Sequence, residues 1–324
     1  MINSFSPYVL SLIIPVFNNG SYLEKVCFPS LINSTIFSQM EIIIVDDGST
    51  DLNTISIIEA LSKQYSNICT YFFPPGGSGT ASRARNYGIN LASSEYITYL
   101  DPDNEAINDG YYKLYQVIQD SDFDMVAGNL VVNDGSENFT LNYYTKFIIS
   151  NYLRDICSNV KHLLIASNFS ANSIQATIFK KKLIIDHQLA MAEGAIGQDT
   201  IFFYSAVLCS KQIKAINQPI HIYYNKNSTS VTNTINLDYF RKRYLNEVYK
   251  LDVLSKHNLL AKYYTTKQDT YFKSYIFNKL KLLEPNERCQ AKAIMDEIYQ
   301  LYNNQWHIKD IEMRQYFNQK SYHI

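Results

Sequence analysis

The sequence predicts an α/β fold built on a mostly parallel sheet, with helices extending it at the C-terminus. Three observations carry that prediction. Over the first 130 residues, continuous apolar runs of strand length alternate with stretches of helical period, as expected for strands buried on both faces and joined by helices. Polar or glycine-rich segments follow these strands, where an open α/β sheet collects its ligands. From about residue 237 the pattern is helical to the end.

"YVLSLIIPV" (8–16) is the first strand, and Tyr22, Val26 and Leu31 begin a helical face after it. "EIIIVDDGSTD" (41–51) opens as a second buried strand. It leads into the helix "LNTISIIEALSKQ", with Ser49, Thr50 or Asp51 as its cap. "NICTYFF" (67–73) is the third strand; the loop "PPGGSGTAS" follows, then the helix "RARNYGINLAS". "EYITYL" (95–100) is the fourth, and it stops at Asp101 and Asp103. Taken alone, those two aspartates with Pro102 and Asn104 read as a turn.

In the middle of the chain, "DMVAGNLVV" reads as a strand-pair region and "TLNYYTKFIISNYLRDIC" as a helix. "SIQATIFKKKLI" runs from strand into helix, "GQDTIFFYSAVLCS" is helical, and "IKAINQPIHIYYNKNSTSVT" gives short strands and a polar loop. Beyond 237, Phe240, Tyr244, Val248 and Leu251 form one apolar stripe at helical spacing. Phe272, Ile276, Leu280 and Leu283 form another.

Composition narrows the function. At 324 residues and 46% hydrophobic, the chain can build a large core. The net charge of −1 points to no polyanion such as nucleic acid. Residues 1–235 carry 14 Lys and Arg against 20 Asp and Glu, whereas residues 236–324 carry 15 against 10, an acidic body with a basic tail. Five widely spaced cysteines without a CxxC pair suggest free thiols in a reducing compartment. The first apolar run lacks a basic lead and is broken by Pro15, and no run approaches the ~18 residues of a membrane span. A soluble cytoplasmic protein is expected.

The ordered stretches "LSLIIPVFNNGSYLEKV", "EIIIVDDGSTD", "SRARNYGINLASSEYITYLDPDN" and "AEGAIGQDTIFF" resemble the signatures of family 2 glycosyltransferases. That family comprises inverting enzymes of GT-A fold, and the likeness spans about residues 9–232. The resemblance implies a nucleotide-sugar donor in UDP-linked form, whose diphosphate is the leaving group, and a Mn2+ or Mg2+ cofactor. Asp101 and Asp103 correspond to the metal-binding pair, with Asp103 as the direct ligand and Asp101 leaning toward the ribose or a water. Asp46 and Asp47 correspond to the nucleoside-binding aspartates, since a carboxylate can accept the imide N–H of uracil. Pro15, Val16 and Phe17 would floor the base pocket, Phe17 standing where tyrosine is common; a plain core role for Phe17 is the alternative.

Arg85, with Arg83 and Asn86 beside it, fits either a phosphate contact or a salt bridge to the strand-end aspartates. The glycine-rich loop 76–79 reads equally as a donor cradle or a mobile loop. Asp199 corresponds to the general base, with Gln198 in place of the usual glutamate; its bland reading is a helix cap. Lys226 and Ser230 match the pyrophosphate-clamping loop, but Asn225 stands where arginine is usual. Lysine supplies charge there without the bidentate fork. His221 is a candidate acceptor contact or packing residue.

The expected organisation is a GT-A domain over 1–235, with a nucleotide-binding half (1–130) and an acceptor-binding half (131–235), followed by a helical extension over 236–324. The expected reaction is hexosyl or N-acetylhexosaminyl transfer to a glycan, lipid-linked or glycoprotein acceptor. Alternatives are a non-catalytic sugar-nucleotide-binding scaffold and a nucleotidyltransferase. The latter usually carries a basic glycine-rich loop after its first strand, and "IIPVFNNGSYLEK" has none. The basic extension suits the inner membrane surface, an anionic acceptor or a second subunit, or else a plain helical cap.

Overall fold

The computed structural model describes residues 6–225, 234–302 and 305–320. The chain forms two compact units. The first comprises Met1–Leu163, Ser170–Gly194 and Gln198–Asn227; the second comprises Leu164–Phe169, Ala195–Gly197 and Ser228–Ile324. The main division therefore falls after Asn227, before the boundary expected at 235, and two short inner pieces group with the C-terminal unit.

In the first unit, the described residues build one ten-stranded sheet. The strands are β1 (Leu10–Val16), β2 (Met40–Asp46), β3 (Ile68–Phe72), β4 (Tyr96–Tyr99), β5 (Glu105–Ala106), β6 (Met125–Asn133), β7 (Asn138–Leu141), β8 (Ile156–Cys157), β9 (Thr177–Lys180) and β10 (Ile213–Tyr224). The order is β3-β2-β1-β4-β9-β6-β10-β5, with β7 on β6 and β8 on β10. The first four strands are parallel. β9 runs antiparallel to both β4 and β6 and so joins the parallel half to the rest.

Every residue of β1 and β2 is buried, which is why both read as unbroken apolar runs. All four parallel strands deliver their carboxyl ends to one edge, and the order reverses between β1 and β4. That reversal is the switch point where such sheets bind ligands.

The middle of the chain departs from its reading. "TLNYYTKFIISNYLRDIC" is no single helix: its start completes β7, Tyr143–Asn151 is helical, and its end is β8. Tyrosine and β-branched residues suit either state, and pairing with β6 and β10 decided the ends. β10 is one long strand rather than several short ones, with its register shifts around Pro219, which has no N–H to donate.

In the second unit, the helix Leu237–Lys256 buries only part of the expected stripe: Phe240 is buried, and Tyr244 and Leu251 are half-buried. Val248 is exposed, while Arg243, Asn246, Glu247 and Lys250 are buried. Lys250 pairs with Glu247 at 2.7 Å and lies 3.9 Å from the centre of the Tyr271 ring. Tyr302 donates its hydroxyl proton to the same Glu247. Burial lowers the Lys250 pKa, with Glu247 acting against it. The second stripe is buried as read, at Phe272, Ile276, Leu280 and Leu283. Among the described residues, no helix is long and apolar enough to cross a membrane.

The helix Ser82–Leu91 lies close on β1, and Gly88 permits the approach. A Cβ at Gly88 would fall 2.5 Å from Cγ2 of the fully buried Ile13. Gly88→Val is therefore expected to destabilise the protein by about 1–3 kcal/mol through overpacking, read as a lower denaturant midpoint. An unchanged midpoint would contradict this packing.

Candidate active site

The loops at the carboxyl ends of the strands are tied to one another by side chains. Asn18, after β1, has a left-handed backbone (φ 51°). Its Oδ1 accepts the Thr50 and Asp51 N–H groups at 2.8 and 2.9 Å, and its own N–H donates to Ser49 Oγ. Asp51 caps the helix Leu52–Gln64 by accepting from Asn53 and Thr54. Pro15 and Val16 are buried, whereas the Phe17 ring is 41% exposed, so Phe17 is a surface at the crevice rather than core.

The two aspartates after β2 divide their work. The buried Asp46 carboxylate accepts the Gly48 and Ser49 N–H groups at 3.1 and 2.8 Å and also the Ser49 hydroxyl. It closes the turn that carries Asp47. Asp47 anchors the glycine-rich loop. Its Oδ2 accepts both the N–H and the hydroxyl of Ser78 at 2.7 Å, and its Oδ1 accepts Arg83 Nε at 2.7 Å. Arg83 in turn lies 4.2 Å from the centre of the Phe73 ring.

The loop then folds onto Phe17. Gly77 (φ +68°) approaches the ring so closely that a Cβ would fall 2.6 Å from Cε2. Asp47 and Phe17 thus define where the loop lies beside the β2 turn.

Arg85 is 5% exposed, and its Nη2 donates to Asp101 Oδ1 at 2.5 Å. Burial disfavours its charge, but Asp101 and then Asp199 more than offset this, so the guanidinium pKa rises above its ordinary value. Arg85 therefore took the salt-bridge option. It also shows that the strand-end aspartate and the aspartate on the helix Gln198–Cys209 share one electrostatic neighbourhood. Asp199 stands in the first turn of that helix, where the dipole favours a carboxylate. Asn86 pairs its side-chain amide with the Met191 backbone, donating to its carbonyl and accepting its N–H at 2.9 Å each.

The turn after β4 is closed by Asn104 N–H donating to the Asp101 carbonyl at 3.0 Å. The second Asp101 oxygen is held by Gln175 Nε2 at 2.8 Å, so both oxygens have protein donors. Asp103 is half-buried on the same turn. Burial raises the pKa of the Cys27 thiol well above its ordinary value, and the charges of Asp101 and Asp103 add to that rise.

Among the described residues, no three His, Cys, Asp or Glu side chains come together as a metal cage. That donor set still fits a hard divalent cation. Such ions are commonly held by one or two carboxylates together with substrate phosphates rather than by an all-protein cage. Asp103, beside Asp101 on the turn after β4, is a carboxylate that would hold such an ion.

His221 lies in β10 and is 1% exposed, with Nε2 3.2 Å from Ser173 Oγ. Burial lowers its pKa to about 4, against smaller opposing effects of the Ile222 backbone and Asp101. It is neutral at physiological pH and packs beneath the site. Lys226 and Ser230 lie outside the described residues. Gln175 was missed by sequence reasoning, because a lone glutamine before a strand carries no motif.

The sheet is mixed rather than mostly parallel, with carboxylates at the switch point of its parallel half, and its architecture is the GT-A fold. The chain belongs to glycosyl transferase family 2, whose profile matches residues 11–178. It is 28% identical over 243 residues to the glycosyltransferase GlyG of Streptococcus pneumoniae serotype 4, covering 72% of this chain and 76% of that one. It is 27% identical over 272 residues to the poly(ribitol-phosphate) beta-N-acetylglucosaminyltransferase TarP of Staphylococcus aureus, covering 79% and 78%. Among solved structures it resembles S. aureus TarS 1–349 in complex with UDP-GlcNAc, with a TM-score of 0.68 at 17% identity over 90% of this chain and 81% of that one. The protein is a glycosyltransferase, which sets aside the nucleotidyltransferase alternative.

The buried His221 has a consequence for stability. Between its ordinary pKa of 6.5 and about 4, the unfolded chain binds a proton there that the folded chain refuses. Stability therefore falls as pH falls through that window, by about 3 kcal/mol in full. Urea midpoints measured from pH 7 to pH 4 are expected to fall more steeply for wild type than for His221→Gln; parallel slopes would contradict the assignment.

Proposed function

We propose that this glycosyltransferase inverts configuration, moving a hexosyl or N-acetylhexosaminyl group from a UDP-linked donor to a hydroxyl of a cell-surface glycan or lipid-linked acceptor. The observation that carries the proposal is the grouping of Asp101 and Asp199 around Arg85 at the carboxyl edge of the parallel strands. One carboxylate belongs to the leaving-group side and the other to the acceptor side, and the charge of one guanidinium is felt by both.

Asp47 reads the imide of the base, with Phe17 as the stacking surface and Pro15 beneath it. Asp46 supports this by fixing the turn that presents Asp47. Asp103 holds Mn2+ or Mg2+, with Asp101 beside it. When bound, the metal supplies positive charge to the departing diphosphate. Lys226 and Ser230 are proposed to add contacts to that diphosphate.

Asp199 accepts the proton of the acceptor hydroxyl as its oxygen attacks the anomeric carbon. The new glycosidic bond forms as the bond to the diphosphate breaks on the opposite face, and UDP departs. Two findings favour an anionic acceptor: TarP acts, by its name, on poly(ribitol phosphate), and residues 236–324 carry a surplus of five positive charges. The same surplus suits work at the inner membrane face, or association of a second copy through residues 236–324.

Asp199→Asn keeps the shape of the side chain and removes the base. UDP release is expected to fall by about 10²–10⁴-fold, while the rise in melting temperature on adding UDP stays as in wild type. Retained turnover would overturn the assignment of the base. Loss of the UDP-induced rise would mean that Asp199 acts on the donor side instead.

A further inference from the structure

The geometry points to Gln175 as the positioning residue that sets the two aspartates of the β4 turn. One side-chain amide makes three hydrogen bonds to that turn. Its Nε2 donates to Asp101 Oδ2 at 2.8 Å, and its Oε1 accepts the Asp101 N–H at 2.9 Å and Asn104 Nδ2 at 2.8 Å. Gln175 thus grips the turn at its first and last residues, with Asp103 between them. The network allows one orientation of the amide, because the flipped form would set Nε2 against two donors.

Gln175 is itself fixed from behind. It is 7% exposed, its own N–H donates to Ser173 Oγ at 3.2 Å, and its carbonyl accepts the Tyr111 hydroxyl at 3.1 Å. Tyr111 donates equally to the carbonyl of Tyr99 in β4. A side chain locked at both ends, holding a carboxylate-bearing turn, is the arrangement that preorganises a site.

The chemistry of the position demands an amide. Glutamate would face the Asp101 carboxylate with a second negative charge and lose the donor. An apolar residue would strand the Asp101 N–H and the Asn104 amide in a buried setting. With Arg85 on the other oxygen, Gln175 fixes the direction of the Asp101 carboxylate. The turn then presents Asp103 in one conformation. The inference rests on the reading of Asp103 as the carboxylate that meets the metal.

The test is the Mn2+ concentration that gives a half-maximal rise in melting temperature with saturating UDP at pH 8. Gln175→Glu is expected to raise that concentration by about 10–100-fold, while the rise produced by UDP without metal matches wild type. A residue serving stability alone would lower the melting temperature and leave the Mn2+ dependence unchanged.

Equal Mn2+ dependence in variant and wild type overturns the inference alone. No Mn2+ effect in wild type overturns the metal reading, and the inference with it. If Gln175→Glu does not fold, Asp101→Asn is compared with Asp101→Asn combined with Gln175→Glu. The combined variant restores the one hydrogen bond that Asp101→Asn breaks, with donor and acceptor exchanged across the pair. Its Mn2+ dependence is expected to be stronger than that of Asp101→Asn; equality overturns the inference.

Discussion

The ion pair between Arg85 and Asp101 is the constraint on which the rest of the site depends. A guanidinium only 5% exposed and 2.5 Å from its carboxylate is costly to desolvate unless its surroundings are arranged for it. Three parts of the fold make that arrangement. Gly88 lets the helix of Arg85 press onto β1, Gln175 holds the far oxygen of Asp101, and Asp199 contributes a second negative charge to the neighbourhood. Without the pair, the β4 turn would carry two neighbouring carboxylates without the guanidinium that offsets their repulsion.

The nucleotide side is organised in the same way, by a buried carboxylate that collects loops. Asp47 joins the β2 turn to the glycine-rich segment and to Arg83, and Gly77 closes that segment against Phe17. Asp46 stabilises the turn beneath. Two neighbouring aspartates of identical chemistry thus differ in role because one faces its own backbone and the other faces the next loop.

This division shows what was legible in the sequence. The parallel half of the sheet could be read because strands buried on both faces leave unbroken apolar runs, as in β1 and β2. The candidate residues could be read because they follow those strands within a few positions. The side-chain partners could not: Gln175 meets Asp101 across 74 positions of chain, and Asn86 meets Met191 across 105. The helix Leu237–Lys256 misled for a related reason. Its buried face also carries Arg243, Glu247 and Lys250, which pair with each other or with tyrosine rings, so the periodicity of apolar residues found Phe240 but missed these and misplaced Val248.

Arg85 and Gln175 hold Asp101 in place, and Asp103 on the same turn is proposed to meet the metal of the donor complex. A crystal structure with UDP and Mn2+, with the manganese located by anomalous scattering, tests this most directly. The account predicts manganese bonded to Asp103 and to the diphosphate, with Asp101 still paired to Arg85. Manganese bonded to Asp101 with Arg85 displaced, or manganese distant from both aspartates, would contradict it.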